Sequence, residues 1–227
     1  MSKAIQINRA GRNVADAFQD QNAWWVFLLL CVGYGAITFV QNNYIITKDV
    51  YYNTLGEQLT LERIDEMLNN QSKWRWLGYL MNPLFIIFQT GLITVCINCG
   101  TFMMDYEVKF NAIFKVVLKS SVVFLICKLL MTFIYLFMEI KVFDDLVKAD
   151  KFSVAGFVAK DTLPTWLMYP LSILNIFEVV FWLLLAYGMS RLIHKTFSKS
   201  LSFVATTYGV GLLMWMLFIV FLSLNLS

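Results

Sequence analysis

Two charged side chains stand where charge is least expected: Lys128 and Glu178 each lie deep inside a long apolar stretch. An ionised side chain at the centre of a bilayer costs about 2.5 to 3.5 kcal/mol on insertion scales, so such groups pair with one another or line a pathway. The chemistry open to them is an ion, proton or substrate relay, with Asn82, Gln89 and Asn175 as supporting polar groups. The simpler reading is a buried Lys–Glu pair that fixes how one helix docks on the next. We favour the pair, because no interrupted helix or inverted repeat of the kind found in transporters is visible in the sequence.

Cys96-Ile97-Asn98-Cys99 has the spacing of a redox pair or half a zinc site, with His194 on the same expected side as a third ligand. A structural zinc site takes four ligands, and the chain has a single histidine and no second cysteine pair. No metal and no cofactor are therefore expected, and His194, between Arg191 and Lys195, reads as a surface residue. Gly-x-Ser-x-Gly, a phosphate-binding glycine loop, His-Glu-x-x-His and clustered aspartates are all missing from the sequence. No catalytic residues can be assigned, and the protein is expected not to be an enzyme.

The elements that must hold these residues follow from composition. Hydrophobic residues make up 59% of the chain and charged residues 15%, with a mean hydropathy of +0.66, outside the balance of a soluble domain. Five apolar runs stand out, at about 23–40, 77–97, 116–138, 163–189 and 201–226. Each is near the roughly 20 residues that carry a helix across a bilayer. Helices satisfy their own backbone hydrogen bonds in lipid, and the alternating segments of a barrel are absent. The fold class is thus an all-α integral membrane protein: a bundle of five transmembrane helices (23–227) after a cytoplasmic segment (1–22), with short amphipathic surface helices. Its primary partner is the lipid bilayer.

Basic residues near the helix ends set the orientation. Lys3, Arg9 and Arg12, then Lys109, Lys115 and Lys119, then Arg191, Lys195 and Lys199 share one side, which is taken as cytoplasmic. On the other side, in two long connections, acidic residues outnumber basic ones, which gives N-in, C-out and a place in the inner membrane. The net charge of +3 reflects this asymmetry and carries no basic cluster interleaved with aromatics, so nucleic acid is not expected as a partner. All four cysteines lie in or beside apolar runs and read as reduced thiols.

Along the chain, Ala4 to Asn22 is weakly amphipathic, and Trp24 and Trp25 fit an interfacial belt. Thr60 can cap a short outer helix with Leu61, Ile64 and Leu68 on one face, and the cluster Tyr44, Tyr51, Tyr52, Trp74 and Trp76 reads as interfacial anchoring. Asn82 and Gln89, seven apart with Cys96 continuing the line, are expected to face the bundle, and Pro83 to sit in the first turns of its span. Phe143, Leu146 and Val147 suggest a second surface helix, ended by Pro164. Ser172, Asn175 and Glu178 make a polar stripe on the fourth span. Gly33 and Gly35 on the first span, and Ala205, Gly209 and Gly211 on the last, permit close helix approach.

The helix order, the long first connection, and the passage from Gly100 through Phe110 into Val116, Val117, Ser120 and Ser121 resemble the bacterial members of the Yip1 domain family, over Trp24 to Leu226. Val122 stands where that family often has proline, and its glycine-rich turn is reduced to Gly100. The Asp-Leu-Tyr-Gly-Pro stretch of eukaryotic members is absent, and no functional residues carry over. The resemblance implies a non-enzymatic membrane protein that works through protein partners. The function expected is an accessory or scaffold subunit of a membrane protein complex. The alternative is a transporter or permease subunit using Lys128 and Glu178.

Overall fold

The computed structural model describes residues 23–143, 145–146, 152–157 and 165–226. Among them the chain is helical: α1 Ala23–Val40, α2 Lys48–Leu55, α3 Leu61–Met103, α4 Phe110–Ser120, α5 Val122–Phe137, α6 Thr165–Ile173, α7 Ile176–Leu192 and α8 Phe197–Leu226. The expected amphipathic segment 4–22 and Pro164 lie outside the described residues, as does part of the expected helix around Val147.

Four helices are long and apolar enough to cross a membrane: α1 with the wide turn Gln41–Ile45 that extends it, α3, α4 continued by α5 through Ser121, and α8. They fit a multi-pass membrane protein. Three expectations need correction. The outer helix near Leu61 and the second span are one helix of 43 residues, about 65 Å at 1.5 Å per residue. Nothing between Leu68 and Leu77 is a glycine or proline, so no residue there stops the helix that Thr60 opens. Pro83 consequently lies inside α3 and not in its first turns. The third and largest correction is that the run 163–189 is not a continuous helix: α6 ends at Ile173 and α7 starts at Ile176.

Contacts group the chain into two units. The first comprises residues up to Leu29, Phe88–Val123 and Val179–Trp215. Its core is Ile97, Ile113, Val117, Phe181, Leu185, Met189 and Val204, with Tyr208 edge-on to Phe181 at 5.4 Å and to Trp182 at 5.7 Å. Small residues let its helices close up. The indole of Trp182 covers Gly209, and Cys96 Sγ lies where a side chain on Gly211 would begin. α3 ends on Asp105, whose positive φ of 51° is accompanied by Tyr106 N–H donating to the Thr101 carbonyl at 2.9 Å, the left-handed helix stop that glycine usually provides. His194 does the same for α7, with φ 52° and Lys195 N–H donating to Ser190 at 3.3 Å.

The second unit comprises Leu30–Ile87, Phe124–Glu178 and the chain from Met216. Leu125 packs on Gly33, while Gly35 faces open space. Gln41 Nε2 donates to Thr132 Oγ1 at 3.1 Å and Asn82 Nδ2 to Thr38 Oγ1 at 3.3 Å. α2 is a short helix that the sequence reading passes over; its Val50 is buried, and so is Ile64 at the start of α3. Two of the five clustered aromatics take structural roles here. Tyr51 stands edge-on to Phe143 at 5.0 Å, and the Tyr52 hydroxyl donates to Asp65. That hydrogen bond, and the negative charges of Asp65 and Asp49, raise the Tyr52 phenol above its ordinary value. Tyr44, Trp74 and Trp76 are exposed, as are Trp24 and Trp25 in the first unit.

Gly100 is the tightest of these contacts. A Cβ there would lie 2.0 Å from the Thr207 methyl, which cannot swing away because Thr207 Oγ1 is tied to the Phe203 carbonyl at 2.7 Å. Gly91, on the same helix, has nothing within 4 Å of such a Cβ. Gly100→Ala is therefore expected to destabilise by about 1 to 3 kcal/mol. Gly91→Ala should be neutral or stabilise by about 0.5 to 1 kcal/mol through the lost glycine entropy. Denaturant titrations in mild detergent check both, and equal behaviour of the two variants would contradict this packing.

Candidate functional site

The break between α6 and α7 has a local cause in sequence. Pro170, inside α6, has no N–H and crowds the preceding turn, and Asn175 is a residue whose side chain competes for backbone donors. Asn175 caps α7: its Oδ1 accepts the Glu178 N–H at 2.8 Å, and its Nδ2 donates to the Ser172 carbonyl at 3.3 Å. Asn175-Ile176-Phe177-Glu178 thus follows the capping-box spacing, with the acidic residue in the third helical position.

Opening a helix leaves backbone groups to be satisfied, and a second segment does this. Ser153 and Asn175 form an isolated antiparallel bridge. On either side of it, Val154 N–H donates to the Leu174 carbonyl at 3.0 Å and Ile176 N–H to the Phe152 carbonyl at 3.3 Å. In an unbroken helix the Ile176 N–H would go to Ser172. Phe152 is also edge-on to Phe177 at 5.5 Å, so an aromatic contact pins the segment to the start of α7. From Val154 to Phe157 the chain continues as a tight helical turn, with Ala155 buried.

Glu178 is therefore not in mid-helix. It occupies the first turn of α7, 7% exposed, where the helix dipole favours a carboxylate. Lys128 is exposed on α5, and its ammonium lies 5.7 Å from the centre of the Tyr34 ring on α1, within cation–π range. The structure thus brings Lys128 to an aromatic face and Glu178 to a helix cap. Asn82 is half-buried against Thr38, whereas Gln89 is exposed. The two are about 20° apart around the axis at 100° per residue, but exposure also depends on what lies at each level of the helix.

Cys99 is exposed and His194 ends α7. Among the described residues no three His, Cys, Asp or Glu side chains are placed to hold a metal ion. Sequence reasoning missed Ser153 altogether, since no motif marks it. It noted the spacing of Ser172, Asn175 and Glu178 but took it for a stripe; Pro170 and the capping-box spacing together were the available signal for a helix start.

The fold is that of an all-helical protein whose four long apolar helices fit a multi-pass membrane protein. No protein-family model, no curated protein and no solved structure matches the chain. What the break can do chemically rests on its own geometry: a buried carboxylate, a buried hydroxyl and an interrupted backbone within one small region.

The cap is testable apart from any function. Asn175→Ala should cost about 1 kcal/mol of stability, as loss of an N-cap does, and Asn175→Ser should restore most of it because serine caps as well. Thermal melts of the purified variants check this. Equal loss in both would show that the side chain acts through something other than the cap.

Proposed function

We propose that the protein is a non-enzymatic, multi-pass protein of the inner membrane that serves as an accessory or scaffold subunit of a membrane protein complex. In this reading α6 and α7 together make a fifth, interrupted crossing, and the basic residues near Lys109 and Lys195 keep the N-terminus inside. The single observation that carries it is that two polar groups inside apolar helices, Gln89 and Lys128, are exposed. Gln89 is exposed on α3 between Phe85 and Leu92, with Phe85 66% and Phe88 57% exposed, and Lys128 is exposed on α5. A lipid-facing amide or ammonium is costly, and a helix of another subunit relieves that cost through interhelical hydrogen bonds. The resemblance to the Yip1 domain family agrees with a role exercised through protein partners.

A photo-crosslinking residue at Gln89 or Lys128 should give one discrete protein adduct in native membranes. Gln89→Leu should weaken co-purification of that partner by about 3- to 30-fold, the equivalent of one interhelical hydrogen bond of about 0.6 to 2 kcal/mol, without lowering the melting temperature. Adducts with lipid alone would overturn the reading.

A second reading is supported by the interrupted helix: a transporter or permease subunit using Lys128 and Glu178. Discontinuous helices with a polar group at the break are where transporters bind solutes and coupling ions. Proteoliposomes containing the full chain should take up radiolabelled sodium faster than empty ones, and Glu178→Gln should abolish the difference. Uptake equal to that of empty liposomes removes this reading and leaves the first in place.

A further inference from the structure

We propose that the end of the first unit where α3 stops and α8 starts is a docking site for an anionic phospholipid, its phosphate held by Lys109, Arg191, Lys195 and Lys199 and its acyl chains lying on Phe102 and Met103. The occupant is a lipid, so the site stands apart from the subunit and permease readings and needs only that the chain lies in a bilayer.

Two short turns meet at this end. One runs from Met104 to Lys109 between α3 and α4, the other from Ile193 to Thr196 between α7 and α8. Each leaves its helix sharply at a left-handed residue, Asp105 in the first and His194 in the second. Packing brings the turns side by side. Gly100, near the end of α3, lies against Phe203 and Thr207 of α8, Tyr106 stands edge-on to Phe203 at 5.8 Å, and the Lys195 ammonium lies 6.0 Å from the centre of the Tyr106 ring. An aromatic face attracts a cation through its quadrupole, so Lys195 links the two turns. Arg191, one helical turn before it, is braced in the same way. Its guanidinium lies 5.2 Å from the centre of the Tyr187 ring, and its Nη2 donates to the Tyr187 hydroxyl at 3.2 Å. Lys109 stands at the N-cap of α4, and Lys199 in the first turn of α8.

The charge at this end is unbalanced. All four cations are exposed, and among the described residues none of them is ion-paired with a carboxylate, although Asp105 and Glu107 share a turn with Lys109. Four cations against two carboxylates leave a positive surface. Just before the first turn, Phe102 and Met103 are 82% and 83% exposed, more than any other large apolar side chain among the described residues. A soluble phosphate or a nucleic acid would use the cations and leave this apolar shelf in water. A phospholipid meets both, because its phosphate and its chains are joined at the depth where a spanning helix ends. A zwitterionic headgroup brings an ammonium that these cations repel, so the net charge selects an anionic one.

The test uses the purified full chain in a mild nonionic detergent, titrated with phosphatidylglycerol, with phosphatidylcholine of the same acyl chains, and with glycerol phosphate as the chain-free headgroup. Phosphatidylglycerol should raise the melting temperature saturably and stay on the protein in native mass spectra, and the other two should do neither at equal concentration. Lys195→Gln with Lys199→Gln should weaken phosphatidylglycerol binding about 5- to 30-fold, as loss of two cations at a lipid surface does, whereas Lys48→Gln with Lys73→Gln in the second unit should change it by about twofold or less. Phe102→Ala keeps every charge and should weaken binding about 3- to 10-fold through lost contact with the chains. All these side chains are exposed, so the variants should melt with the wild type when no phosphatidylglycerol is present; if the lysine pair fails to fold, Phe102→Ala decides alone. Equal stabilisation by phosphatidylglycerol and phosphatidylcholine overturns the proposal, as does equal weakening by the two lysine pairs, which would make the effect one of overall charge. Stabilisation by glycerol phosphate to the level of phosphatidylglycerol also overturns it, in favour of a soluble anion. A chain that stays monodisperse without detergent removes the membrane reading and this site with it, whereas loss of the phosphatidylglycerol preference in detergent removes this site alone.

Discussion

The backbone hydrogen bonds at residues 152–154 and 174–176 are the constraint on which the most unusual part of the structure depends. In a low-dielectric solvent an unpaired N–H or C=O costs several kcal/mol, so a helix can open only where other protein groups take over its bonds. Here the segment Phe152–Val154 takes over two of them, and the Asn175 side chain a third and a fourth. Without that segment, Pro170 and Asn175 would be compatible with a kinked helix as well as with a broken one. With it, the chain has a helix start, a dipole and a buried carboxylate in a place where a plain span would have only methyl groups.

Elsewhere the two units show the packing that suits helices long and apolar enough to cross a membrane. Apolar side chains gain little by turning from lipid tails to each other, so close approach and a few polar contacts must do what the hydrophobic effect does in water. The structure uses both means. Gly33, Gly100, Gly209 and Gly211 each receive a side chain from another helix of the same unit. The Gln41–Thr132 and Asn82–Thr38 bonds tie α1 to its neighbours, and Lys128 rests on Tyr34. Many threonines and serines return their hydroxyls to the preceding turn, as Thr94 does to Thr90 at 2.7 Å, so they add no unmet polar group to the interior.

Polar residues in apolar helices thus divide into three kinds. Asn82, Thr132 and hydroxyls such as those of Thr94, Ser121 and Thr207 are satisfied within the chain and need no further function. Gln89 is directed outward, where a partner helix can meet it, and Lys128 extends outward over an aromatic ring. Ser153, Asn175 and Glu178 lie together at an interruption, with Asn175 paired to Ser153 across the bridge and capping the first turn of α7, where Glu178 sits. Gln89 bears on the scaffold reading alone and Glu178 on the permease reading alone, while Lys128 enters both. The two need not exclude each other in one subunit.

By itself the sequence determined that the chain is helical and located four of its five apolar runs within helices long and apolar enough to cross a membrane. Runs of about 20 apolar residues admit few structures but helices, because only a helix satisfies its backbone locally. Ala23–Val40 and the last run matched their helices closely. It also singled out Glu178 and Lys128, since ionisable residues are rare at such positions, and it contained the cap, in Asn175 and Glu178, and the breaker, in Pro170. What it could not determine was which of these signals would prevail. A proline and an asparagine in an apolar run are compatible with a kinked helix or a broken one. The choice depends on whether a distant segment supplies the missing hydrogen bonds, and residues 152–154 are about twenty positions away with no motif of their own. Exposure was undetermined for a similar reason. Asn82 and Gln89 share a face of one helix by periodicity, yet the neighbours that cover the first and leave the second open are decided only by tertiary packing.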